Sequence, residues 1–133
     1  MVVVEFQVEF GDGNGPADVE ITLSGAPTPT DLRRLNERLV SDLRFQAGLT
    51  ILADLNALDA GDLSDAAVQK LSEPMVERDW FYPPVASAII APEGPTYNAA
   101  RAYRAHLGGS ESKRRIFKCR AEALAWLDEQ KRR

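Results

Sequence analysis

The chain has 133 residues, a net charge of −4 and 44% hydrophobic residues, which fits one globular domain and excludes wholesale disorder. No stretch approaches the roughly 18 uninterrupted apolar residues of a membrane-spanning helix, and a single cysteine, Cys119, excludes an internal disulfide framework and a cysteine-based zinc site. The opening apolar run Met1–Val4 is too short for a signal-peptide core and no basic residue precedes it, so a cytoplasmic protein without membrane insertion is expected. Charge is uneven: residues 1–100 carry 6 basic and 16 acidic side chains, and residues 101–133 carry 10 and 4. An acidic chain does not offer the continuous basic surface that phosphate backbones need, so no nucleic-acid partner is expected. The basic residues read as solvated, with a contact between the acidic and basic halves as an alternative.

Val4, Phe6, Val8 and Phe10 alternate with Glu5, Gln7 and Glu9, the period of a half-buried strand. Gly11–Pro16 breaks the pattern and Val19, Ile21 and Leu23 resume it, which predicts a β-hairpin. Thr30 and Asp31 read as a helix start; Leu32, Leu35, Leu39 and Leu43 then define one apolar face, with an end near Gly48. Leu49–Leu55 is a short buried strand. After an acidic loop a second helix covers about 63–73 and is kinked or ended by Pro74. Residues 75–82 read as irregular. Val85–Ala91 is another buried strand, Thr96–Leu107 a helix, Arg115–Cys119 the last strand and Ala121–Gln130 the last helix. The order ββαβαβαβα predicts an α/β fold: a mixed, mostly parallel sheet of about five strands with helices packed against it, in one domain spanning 1–133.

The string ILADLNALDAGDLSD, followed by a helix, resembles the strand–loop–helix centre of STAS domains, and RRIFKCRAEALAWLDE resembles the closing strand and helix of their SpoIIAA-like branch, a set of small bacterial proteins. VASAIIAP and the helix containing Ala102 and Tyr103 fit the same pattern, so the likeness spans nearly the whole chain. Many STAS domains carry a phosphorylatable serine in a sequence like Asp-Ser-Ser-Gly after the central strand. The matching tetrad here is Asp62-Leu63-Ser64-Asp65, in which Leu63 and Asp65 replace the first serine and the glycine. The resemblance thus implies Ser64 as a phosphorylation site; the residues themselves also read as helix caps at Asp62 or Ser64.

Asp59, Asp62, Ser64 and Asp65 form a candidate partner-contact loop. The carboxylates Asp54, Asp59, Asp62 and Asp65 match no EF-hand spacing, so neither metal nor cofactor is expected. His106, the only histidine, lies in the last turn of a helix, and Cys119 reads as a small buried hydrophobe. No nucleophile, metalloprotease or phosphate-loop motif is present. Trp80, Phe81 and Tyr82 cannot all point into one core and form a candidate ligand groove.

Three functions follow, in this order: a non-enzymatic regulatory or protein-interaction module with a protein partner; a carrier of an apolar small molecule; and, last, an enzyme using the acidic loop. The carrier reading is implied by the resemblance, because SpoIIAA-like domains share their shape with lipid-binding CRAL-TRIO folds. Sheet edges and an Ala-rich helix also make a homodimer an expectation.

Overall fold

A computed structural model describes residues 4–61, 63–108 and 113–133. Five strands, β1 (Glu5–Phe10), β2 (Val19–Ser24), β3 (Thr50–Asp54), β4 (Ala86–Ile90) and β5 (Arg114–Phe117), lie side by side in chain order. β1 and β2 pair antiparallel, with Val8 opposite Ile21, and every later pair is parallel. The helices are α1 (Pro29–Val40), α2 (Asp65–Phe81), α3 (Pro95–Ala105) and α4 (Arg120–Lys131). The mixed α/β architecture expected from the residues is therefore present.

Right-handed crossovers that advance in one direction across a sheet fall on one face. Accordingly α1, α2 and α3 share a face. Leu35 and Leu39 of α1 meet Val19, Ile21 and Ile51; Leu71 and Met75 of α2 meet Leu23; Ala100 of α3 meets Ile89. α4 follows β5 and covers the opposite face, where Ala123 and Leu127 close on Leu52, Ala86, Ala88 and Ile90. β4 is buried on both sides, as a central parallel strand must be.

Several boundaries differ from the expected ones for local reasons. α1 starts two residues earlier than Thr30 would set it. Thr28 is the N-cap, its hydroxyl accepting from the Asp31 amide while the Asp31 carboxylate accepts from the Thr28 amide, and Pro29 occupies the first helical position. The helix ends at Val40, so Leu43 is fully exposed rather than part of the apolar face. α2 does not stop at Pro74 but runs through it to Phe81. Pro74 is itself buried, and the Asn36 amide donates to its carbonyl at 2.9 Å. Tertiary anchoring thus outweighs the lost helical hydrogen bond. Cys119 is exposed at the N-cap of α4, not buried.

The two charge halves are joined within the chain. Lys131 donates to the Gly13 and Gly15 carbonyls and to Asp18 at 2.6 Å, which pins the hairpin loop to the end of α4. Arg120 makes a two-pronged contact with Glu20, and Lys118 pairs with Glu93. Among the described residues no helix is long and apolar enough to cross a membrane.

Candidate functional site

Side chains alternate along β5, so Arg114 and Ile116 face α1–α3 while Phe117 faces α4. Arg114 therefore enters the core as a cation and is only 2% exposed; it is not one of the solvated basic residues expected around the last strand. Its compensation comes from α2. Asp79, 6% exposed, accepts two parallel hydrogen bonds from Arg114, at 2.5 and 3.0 Å. This bidentate geometry is the strong form of an arginine–carboxylate pair. Tyr103 on α3 lines the same space as Arg114. Burial works against the Arg114 charge, but the surrounding groups, the hydrogen-bonded Asp79 carboxylate among them, outweigh it and raise its pKa above the ordinary arginine value. Burial pushes the Tyr103 phenol up, so it stays protonated at neutral pH.

Next to Asp79 on α2 lies a second buried cation, Arg78, 7% exposed. One of its terminal nitrogens donates to Asn36 Oδ1 at a long 3.4 Å. Its Nε lies 4.0 Å from Asp79 Oδ1, beyond hydrogen-bond reach, and has no partner among the described residues. Burial draws the Arg78 pKa down, and the neighbouring Arg114 adds to this against Tyr103 and Asp79. Arginine nonetheless keeps its proton in proteins. Two guanidinium cations thus share one carboxylate.

Arg78, Tyr103 and Arg114 line an apolar cavity of about 120 Å³ between the sheet and α1–α3. Ile51 and Ile89 line the sheet side, Leu71 and Met75 the helix side, and Arg78 and Arg114 enter its wall. Arg78 also lines a separate surface groove with Val40, Glu77, Phe81 and Tyr82, so it stands between the interior and the outside.

The residues singled out from sequence fall in three places. Phe81 and Tyr82 line that outer groove, and Tyr82 also packs against Phe45 with ring centroids 5.4 Å apart. Trp80 is not among the residues lining the groove and is 82% exposed. The aromatic triplet is therefore split, and it does not line the apolar cavity. Ser64 is the N-cap of α2, its hydroxyl accepting from the Ala67 amide at 3.1 Å. Asp59 accepts from the Gly61 amide, and Asp65 in the first turn of α2 meets His106 at 3.1 Å. Asp62 lies outside the described residues. Among the described residues no group of three or more histidine, cysteine, aspartate or glutamate side chains is gathered to hold a metal ion.

The fold has a solved counterpart. An uncharacterized protein of the DUF3478 family from Shewanella loihica PV-4, described as having a SpoIIAA-like fold, superposes with a TM-score of 0.61 at 19% identity, over 96% of this chain and 95% of that one. The fold is SpoIIAA-like. No family model matches the sequence, and no curated protein does.

In this SpoIIAA-like domain the sequence reading missed Arg78, Asp79, Tyr103 and Arg114. A signal for one of them existed: Leu71, Met75 and Arg78 follow at helical spacings of four and three, which puts Arg78 on the buried face once α2 is allowed past Pro74.

Proposed function

We propose that this SpoIIAA-like domain is a non-catalytic cytoplasmic binding module that takes a small apolar molecule between the sheet and α1–α3. The observation that carries the reading is the cavity of about 120 Å³ whose apolar walls include Arg78, Tyr103 and Arg114. Ligand pockets are typically apolar with a few placed polar groups that set orientation. A cavity of about 150 Å³ is known to admit benzene, so this one suits a body of comparable or slightly smaller size. The test is a titration of the methyl-labelled protein with toluene, benzyl alcohol, benzoate and hexanoate. Saturable shifts of the Ile51, Ile89 and Leu71 methyl signals support the reading; no shift with any probe contradicts it.

A second reading, docking to a protein partner, is supported by the exposure of Trp80 (82%) and Phe81 (68%) at the end of α2. Exposed aromatics make effective contact anchors. The same helix lines the cavity through Leu71, Met75 and Arg78, so occupancy of the cavity and the exposed aromatics share one element. Crosslinking in the native host, lost in Trp80→Ala and Phe81→Ala variants, is the expected result. Crosslinks that persist in both variants would contradict it.

A further inference from the structure

The cluster beside the cavity has one more positive charge than negative: Arg78 and Arg114 against Asp79. Buried charge is ordinarily paired, because an ion removed from water loses its hydration without replacement. Arg114 meets that requirement through its two hydrogen bonds to Asp79. Arg78 does not. Its contact with Asn36 is to a neutral oxygen at 3.4 Å, and its Nε–H donates to nothing among the described residues. Asp79 shares its charge with Arg78 but makes no hydrogen bond to that Nε, which lies 4.0 Å from its Oδ1.

Building on the reading of the cavity as a ligand site, the geometry points to Arg78 as an anion receptor, and to a small apolar monocarboxylate as the ligand, its hydrocarbon body in the cavity and its carboxylate on the Arg78 guanidinium. Three observations select this class. The excess is a single positive charge, which a monoanion cancels and a phosphate dianion would overshoot. The open donor belongs to a planar guanidinium, the group that matches carboxylate geometry. The volume of about 120 Å³ suits a hydrocarbon body the size of the benzoate ring or the hexanoate chain, with the carboxylate outside it on Arg78. Arg78 also faces the groove lined by Phe81 and Tyr82, which places the charged end of the ligand toward the exterior and the apolar end inward.

Calorimetric titration at pH 7 compares benzoate and hexanoate with benzyl alcohol, 1-hexanol and inorganic phosphate, on the unaltered protein and on Arg78→Met. The expected result is that each acid binds about tenfold or more tightly than its alcohol, as a charge-assisted pair formed away from water requires. In Arg78→Met that preference disappears while the alcohols still bind. Acid and alcohol binding equally well to the unaltered protein would overturn the anion inference and leave the cavity reading standing; no binding by any probe would overturn the cavity reading as well. Phosphate binding as tightly as the acids, or an acid preference that persists in Arg78→Met, also overturns it. Should Arg78→Met fail to fold by circular dichroism, Arg78→Lys keeps the charge but removes the Nε–H. The expected result there is a weakened preference for acid, and an unweakened one counts against the inference.

Discussion

The two faces of the sheet are packed by different rules. Beneath α4, the small residues Ala86, Ala88 and Ala123 let helix and strands approach closely around Leu52 and Leu127, and all five are essentially inaccessible. Beneath α1–α3, larger side chains leave a cavity, and three ionised groups are buried beside it. One helix closes the first face over β3 and β4; three helices converge over the second without filling it. Close packing is the ordinary state of a protein interior, so the face that departs from it is where a binding role is best sought.

Breaking the buried cluster gives the largest expected effect. Asp79→Ala leaves Arg114 and Arg78 without their carboxylate, and a loss of about 3–5 kcal/mol in urea unfolding is expected. Arg78→Met, by contrast, replaces an incompletely satisfied cation with an apolar side chain and is expected to cost under about 1 kcal/mol, or to stabilise. Equal costs for the two would erase the asymmetry assigned to the cluster.

Adding volume separates the faces next. Ala88→Leu under α4 overpacks a closed interface and is expected to cost about 1–3 kcal/mol. Ala53→Leu projects into the cavity wall, where room exists, and should be neutral or better while abolishing ligand binding. Similar losses at both positions would mean that the two faces are equally full.

At the mouth of α2, Ser64→Ala removes the N-cap and is expected to cost about 1 kcal/mol. Phosphorylation of Ser64, which the resemblance implies, is expected as a covalent mass excess mapped to that residue in protein from its host; an unmodified Ser64 there contradicts it.

The smallest effect concerns acid. Burial pushes the Asp18 carboxyl up, but hydrogen bonds from Lys131 and the Thr50 amide outweigh it and hold its pKa below the ordinary 3.8. A carboxyl depressed in the folded state contributes stability that is complete above 3.8 and is lost as pH falls through the folded value. Lys131→Met should therefore weaken the protein at pH 6 by about 1 kcal/mol or less and reduce its loss of stability on acidification below that value. An unchanged acid profile would mean that the clamp on the hairpin is not ionic.

Much of this contrast was hidden from the chain read alone. The alternation of Phe6, Val8 and Phe10, and the short apolar runs that became β3 and β4, were legible because period and length are local properties. The far half of α2 was not, because Pro74 is a local breaker whose penalty is offset by a contact with Asn36, 38 residues away. Arg114 was hidden for a similar reason: a basic residue beside a strand reads as solvated until its partner, 35 residues distant, is known. The Ser64 cap was legible, since serine before a helical run is a strong local signal.

The most direct test follows Arg78 and the two faces together in one sample, by recording arginine Nε–H and methyl spectra of labelled protein during titration with benzoate. The expected result is a saturable shift and slowed solvent exchange of the Arg78 Nε–H, with movement of the Ile51 and Ile89 methyl signals and none at Leu52 or Leu127. An unmoved Arg78 signal at benzoate saturation, or shifts confined to Leu52 and Leu127 under α4, would contradict it.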